Sequence, residues 1–332
     1  FFFFFFFFFS GGGRLPLWLR GVLFFVRISS LSPAVAAVGG AVGLLVRRVY
    51  LANGFEVGTG LPIPGAPSMW AMLLVAAVTA GALALLCQGK HRQFDQCYTG
   101  AFSSGRLVWN AGALAGGVLL AIGGALALFA WVSTVDEAGQ RTLSLSWAGL
   151  GLMGLLAGAG IYFVQIQMRR RRPVLTAWAT APGFAGCLWL MANYYTSWAA
   201  EPSLGRYGIP VLGMALSLAA CVRISTLAFG KVKTGAVLFL CLSAAAFDLM
   251  ALADGLPLVD TALYLGMFFY LLSSAGALAE NDAGTDQPPC TAHCDRCAGC
   301  TPMGTLKPPE KKKKKKKANN DQNGQPSQAA RS

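Results

Sequence analysis

The sequence predicts an all-α fold, a polytopic membrane bundle of about eight transmembrane helices. Three observations predict it. Only 12% of the 332 residues are charged, 55% are hydrophobic, and mean hydropathy is +0.53. A soluble domain carries about 25% charged residues, so a chain this poor in charge cannot cover a water-facing surface. The apolar residues come in long blocks, most of them near the roughly 20 residues that span a bilayer as a helix. None of the blocks alternates as a transmembrane β-strand of about ten residues would.

The eight blocks run approximately 28–46, 68–87, 108–132, 147–167, 174–198, 209–229, 234–253 and 257–279. The first is the weakest. It is short, and Arg47 and Arg48 end it abruptly. The second follows a Gly- and Pro-rich stretch, YLANGFEVGTGLPIPG at 50–65, whose Pro helps the next helix to start. Gly39-x-x-x-Gly43, Gly112-x-x-x-Gly116 and Gly154-x-x-x-Gly158, in the first, third and fourth blocks, let helices approach closely. The fourth block runs into Arg169 to Arg172. The fifth contains Asn193, Tyr194 and Tyr195, the sixth Arg223, and the seventh Asp248. Cys87, Cys187, Cys221 and Cys241 lie in or at the ends of blocks, where thiols pack as small apolar groups. The chain divides into an N-terminal low-complexity or interfacial segment (1–27), a transmembrane domain (28–279) and a C-terminal tail (280–332). No polar stretch between blocks exceeds about 22 residues, too short for a soluble domain of about 50 residues or more.

A second stretch, YTSWAAEPSLGRYGIP at 195–210, repeats the placement of the first. Tyr50, Glu56 and Gly60 recur as Tyr195, Glu201 and Gly205 at identical spacing, and Gly89-Lys90 is echoed by Gly230-Lys231. Two parallel halves of four spans each would explain it, with binding sites where the halves meet.

The net charge of +13 does not indicate nucleic acid, because Lys311 to Lys317 supply seven of the charges. Most of the others flank block ends, where topology signals lie. With the N-terminus inside, twelve Lys and Arg residues fall on the inner side and four (Arg47, Arg48, Arg141, Arg206) on the outer side, before the tail is counted. Both termini are therefore expected in the cytoplasm. Arg47 and Arg48 dissent, and would snorkel to the outer interface or pair with an acid there.

Phe1 to Phe9 has two readings: a poly-T tract translated upstream of the true start, or an apolar membrane-dipping end. Residues 14–27 fit a short interfacial helix, with Trp18 and three Arg residues at headgroup depth. The tail is rich in Asn, Gln, Pro, Ser and Lys and is expected to stay disordered. Its Lys run would attract anionic inner-leaflet lipid, or it reads as a poly-A tract with a shifted frame behind it. Cys290, Cys294, Cys297 and Cys300 fall within eleven residues, with His293 among them. Thiolates so spaced can enclose Zn²⁺ or hold an iron–sulfur cluster; the other reading is a chance patch. The first three match the spacing of radical SAM enzymes, but only 32 residues follow Cys300, too few for the barrel such enzymes need.

Ionisable residues within spans are functional suspects. Asp248 sits about five residues from the outer end of its block and Arg223 about six from the inner end of its own, so at 1.5 Å rise per residue they differ in depth by roughly 12 Å. Arg223 can snorkel. Asp248 shares its depth with Asn193, Tyr194, Tyr195, Asp254 and Asp260, and with the loop residues Glu201 and Arg206. The candidate site is a shallow outer pocket of Asp248, Arg206, Tyr194, Tyr195 and Glu201; the alternative is that Asp248 pairs with Arg206 or Arg47. No HExxH, Gly-x-Ser-x-Gly or Walker loop occurs, so an enzyme is disfavoured. A permease-like or solute-binding protein leads. Its rival is a non-transporting scaffold, sensor or partner subunit that docks through loops 88–107 and 168–173.

The segments RRVYLANGFEVGTGLPIPGAPS, RRRRPVL, YYTSWAAEPSLGRYG and FDLMALAD resemble an uncharacterised family of eight-span membrane proteins of gut Clostridia. The resemblance covers roughly residues 31–280. It implies a bacterial cytoplasmic membrane and no assigned activity.

Overall fold

The computed structural model describes residues 28–56, 59, 61–88, 91, 94–95, 98–134, 143–170, 176–196, 204–228 and 231–282. Eight long helices account for most of them: α1 (Ile28–Asn53), α2 (Pro67–Leu86), α4 (Leu107–Ser133), α5 (Leu145–Arg169), α6 (Thr176–Thr196), α7 (Leu204–Thr226), α8 (Thr234–Ala251) and α9 (Leu258–Asp282). Each matches one apolar block of the sequence. A short helix, α3 (Tyr98–Phe102), and a two-residue antiparallel ladder, β1 (Phe94–Asp95) with β2 (Lys231–Val232), complete the described structure. The architecture is an all-α polytopic bundle.

Seven of the long helices are long and apolar enough to cross a membrane; α6 falls outside that set. It has 21 residues, but Pro182, Asn193 and a Tyr-Tyr-Thr end dilute its hydropathy. It packs between α5 and α7 in the same bundle. The chain is a multi-pass helical membrane protein.

The outward faces are apolar, as lipid requires. Leu45, Trp70, Leu74, Val78, Phe129 and Phe184 are all exposed. The centre belongs to α8 and α9, whose apolar stretches are 72% and 78% buried, against 22% for α2. Helix α9 packs on α4, α8 and α1; α8 packs on α7, α9 and α1; α4 to α7 follow one another around the remaining side. Helix α2 lies outside, against α1 and, more lightly, α8.

Glycine sets the closest approaches. On α4, Gly117 and Gly124 face α5, where a Cβ on Gly124 would lie 2.7 Å from the Gly151 carbonyl oxygen. One residue back, Gly116 and Gly123 face α9, and a Cβ on Gly116 would lie 2.7 Å from the Gly266 carbonyl oxygen. Two adjacent stripes with a spacing of seven thus let α4 lie backbone-to-backbone on two partners, the small-residue contact of membrane helices. The Gly39/Gly43 pair is split: Gly39 meets Thr79 of α2, and Gly43 meets Met250 of α8.

At the end where α1 and α8 finish, Gly255 at φ +64° closes the 3₁₀ turn 252–254. Glycine adopts that left-handed conformation without cost. The tight turn it makes brings Asp254 and Asp260 close to the bundle. The loop after α1 is a hairpin, with Phe55 bridged to Pro62.

Three sequence expectations are modified. Helix α1 does not stop at Arg47; it continues to Asn53 with Arg47 buried inside the bundle. Helix α9 runs past the expected tail boundary, so Glu280, Asn281 and Asp282 are helical. The two sets of four helices are packed differently: α7 packs along α8, whereas their counterparts α2 and α4 share no comparable interface. Tyr50 is buried, and its counterpart Tyr195 is exposed. The loops after α2 and α7 do meet, through the β1–β2 ladder.

Candidate functional site

Helices α6, α7, α8 and α9 enclose a polar core, which α1 closes on one side. Its first part is an ion pair. Arg47 is 1% exposed and holds Asp254 through two bonds, Nε to Oδ1 and Nη2 to Oδ2, each 2.9 Å. Two more of its donors reach the start of α7: Nη1 lies 3.0 Å from the Gly205 carbonyl and Nη2 2.6 Å from the Arg206 carbonyl. The sequence explains why that carbonyl is free. Pro210, four residues on, has no N–H to donate back to it. The guanidinium also sits 5.3 Å from the Tyr50 ring. A buried charge needs a counter-charge and hydrogen bonds, and Arg47 has Asp254 and four bonds for its five N–H donors.

The second part joins α9 to α6. Asp260 is 3% exposed. Its Oδ1 accepts from Trp189 Nε1 at 2.7 Å and from Asn193 Nδ2 at 3.1 Å. Trp189 and Asn193 are one helical turn apart, so both reach the same acid. The Trp189 ring meets Tyr264 edge-to-face at 4.5 Å, and the Tyr264 hydroxyl donates to the Pro210 carbonyl at 2.9 Å. The third part is Asp248 on α8, with no exposed surface. Ser217 of α7 donates to its Oδ2 at 2.6 Å. Among the described residues its Oδ1 has no partner. That oxygen faces Gly213, where a Cβ would lie 3.0 Å away. Gly213 and Ser217, again one turn apart, make the α7 side of this position.

Of the residues expected in an outer pocket, the structure therefore places Asp248 inside the bundle. Arg206 contributes its carbonyl, while its side chain is exposed. Tyr194 and Tyr195 are exposed and pack on each other at 5.7 Å. Among the described residues Asp248 shares no hydrogen bond or ion pair with any of these three. Glu201 lies outside the described residues. The alternative pairings are not formed either, since Arg47 goes to Asp254 and Asp248 to Ser217. Arg223 is exposed in the last turn of α7. The sequence did not single out Ser217, Gly213, Trp189 or Tyr264. The signals were a Gly and a Ser one turn apart in one apolar block, and a Trp and an Asn one turn apart in another.

At the other end the last turn of α9 fixes the connector between α2 and α4. Glu280 accepts from Ser104 Oγ at 2.7 Å and Trp109 Nε1 at 2.9 Å, and pairs with Arg106 at 2.6 Å. Asn281 donates to the carbonyls of Ala101 and Ser103, both at 2.9 Å. Asp282 meets His91 at 2.6 Å. A cleft of about 420 Å³, open mouth included, lies above α3 between α4, α5, α6 and α9. Trp109, Trp178, Tyr98, Tyr270, Asn110 and Gln165 are among its lining, which holds no charged residue.

Cys290, Cys294, Cys297, Cys300 and the Lys run lie outside the described residues. Among the described residues no group of three or more His, Cys, Asp or Glu is arranged to hold a metal. Comparison with known proteins finds no matching family, no matching curated protein and no matching solved structure.

Proposed function

We propose that the protein is a permease-like or solute-binding membrane protein whose working group is Asp248. One observation carries the reading. The acid is fully buried in the central helix, and among the described residues its Oδ1 is left without a donor in a core where Arg47, Asp254 and Asp260 are all bonded. Buried polar groups are normally satisfied, and an exception calls for a reason. An acid within a membrane span is a functional candidate by default. A proton or a small cationic or hydrogen-bond-donating ligand would complete the Asp248 carboxyl beside Gly213 and Ser217.

The polar core takes over from the shallow pocket: Arg206 serves through its backbone, and Tyr194 and Tyr195 are left to the approach from that end. The positive-inside count supports both termini inside, which puts the Arg47–Asp254 pair at the outer end; the bacterial cytoplasmic membrane is what the resemblance to the Clostridial family implies. Kinship with the eight-span Clostridial family belongs to the same proposal. So do anionic lipid at Lys311 to Lys317 and Zn²⁺ or an iron–sulfur cluster at Cys290, Cys294, Cys297 and Cys300.

The test is a thermal-shift screen of the full chain in detergent against metabolites, ions and lipids, with Asp248→Asn beside the wild type. A ligand that binds only the folded state raises its stability. A shift present in the wild type and absent in Asp248→Asn is expected. A ligand that stabilises both alike removes Asp248 from the site. The rival reading, a non-transporting scaffold, sensor or partner subunit, draws on the ordered connector within 88–107, which α9 fixes at Ala101, Ser103 and Ser104. Copurification with a fixed partner would favour it.

A further inference from the structure

His91 lies in the connector between α2 and α3, at the end of the bundle away from Asp248. Both of its ring nitrogens are engaged. Nδ1 lies 2.6 Å from Asp282 Oδ2, and Nε2 lies 2.8 Å from the Cys87 carbonyl oxygen. A backbone carbonyl can only accept, so Nε2 carries a proton. A neutral imidazole protonated there presents a bare lone pair at Nδ1, facing a carboxylate at 2.6 Å. Two acceptors would then meet with nothing between them. The contact closes only with a second proton between Nδ1 and Asp282.

We propose that His91 is a proton-held latch. As imidazolium it ties the end of α2, at Cys87, to the last turn of α9, at Asp282; when the proton leaves, the contact with α9 opens.

The surroundings suit the role. The His91 and Asp282 side chains are only 18% and 13% exposed, so water competes weakly for the bond. Helix α8 presents Gly235, where a Cβ would lie 2.7 Å from Cδ2 and Nε2 of the imidazole, so that side of the ring lies close against bare backbone. The charged groups of the neighbouring elements are accounted for. Burial, with the charge of Asp282, pushes the Cys87 thiol up to about 12, so it stays neutral. Glu280 is held by Arg106, Trp109 and Ser104. Lys233, ahead of α8, is exposed; the side chains of Asp95 and Lys231, in the ladder, lie outside those described. Lys90 and Arg92, beside His91 in sequence, lie outside the described residues. Asp282 has a further interaction of its own. Burial works to lower the His91 value, but the hydrogen bond and charge of Asp282, aided by the Cys87 carbonyl, outweigh it and raise the value above 6.5. The latch is therefore fully closed below pH 6.5 and opens as pH rises through the raised value.

The chain has two histidines, His91 and His293, so ¹⁵N-histidine labelling of the full chain in lipid nanodiscs gives two imidazole signals. His293→Gln assigns them. Both ring nitrogens of His91 are expected to be protonated below pH 6.5, with a midpoint above that value that is lowered in Asp282→Asn. Across the same titration, amide exchange at residues 83–88, corrected for its intrinsic rate, should speed up by about tenfold, the effect of one lost charge-assisted hydrogen bond. A single protonated ring nitrogen below pH 6.5 would overturn the latch. So would a midpoint unmoved in Asp282→Asn, or exchange at 83–88 that ignores the titration.

Discussion

Replacing Arg47 by Met would strip Asp254 of both its bonds and leave the Gly205 and Arg206 carbonyls facing a methyl group. Arg47 and Asp254 side chains are 1% and 8% exposed, so solvent screens the pair little. Breaking a buried ion pair from one side costs about 3–5 kcal/mol, because the surviving charge is left uncompensated. Arg47→Met with Asp254→Leu removes both charges and should lose far less, since an apolar replacement of a whole buried pair is often neutral. One deficit remains in that double variant. The Arg206 carbonyl still lacks a donor, because Pro210 has no N–H. Pro210→Ala would supply one. It should relieve the Arg47→Met background by about 1 kcal/mol more than it changes the wild type, the net worth of one hydrogen bond. The assay is equilibrium unfolding of the full chain in mixed micelles, read as a double-mutant cycle. A cost below about 1 kcal/mol for Arg47→Met, the value of an exposed pair, would refute the reasoning. An identical effect of Pro210→Ala in both backgrounds would refute the role given to Pro210.

Trp189→Phe keeps the ring against Tyr264 but removes one donor to Asp260; about 1.5–3 kcal/mol should be lost in the same unfolding assay, and Asp260→Asn, which can still accept, should lose less. Gly124→Ala forces a Cβ to 2.7 Å from the Gly151 carbonyl oxygen and the Leu155 nitrogen, and overpacking of that kind costs about 1–3 kcal/mol. Gly81→Ala is the control, because nothing lies within 4 Å of its Cβ position; it should be neutral or raise the thermal midpoint. For pH, the His91 value is raised in the folded chain, so its contribution to stability is complete below 6.5 and is lost as pH rises through that value. Thermal midpoints should fall over that range in the wild type and not in His91→Gln. Cys87, pushed up to about 12 by burial and the Asp282 charge, should resist maleimide at pH 8 until the chain unfolds.

The helices were legible because lipid demands long apolar runs, and every run became a helix. What the runs conceal is which face turns inward. Asn193 is buried and bonded to Asp260, while Tyr194 and Tyr195, one and two positions on, are exposed. A shift of about 100° per residue separates them, and hydropathy averaged over a block cannot register it. Arg47 read as the end of a helix because its partner Asp254 lies 207 residues away. Small-residue spacing showed that helices would touch but not which ones. Gly39 and Gly43, a single motif in sequence, serve two different neighbours. Asp248 was legible as an acid out of place, and its one donor, Ser217, was hidden among ordinary span residues. The final turn of α9 looked like the start of a polar tail, because Glu280, Asn281 and Asp282 interact with a connector about 175 to 190 residues earlier that no local pattern foretells.

The role of Asp248 is tested most directly by uptake into proteoliposomes that contain the full chain. The solute is the ligand that raises thermal stability, and wild type is compared with Asp248→Asn and with Ser217→Ala. Uptake that depends on the protein, is abolished in Asp248→Asn and is weakened in Ser217→Ala is the result expected of a working carboxyl held by one hydroxyl. Uptake equal to wild type in a folded Asp248→Asn protein would contradict it and leave Asp248 as a structural acid.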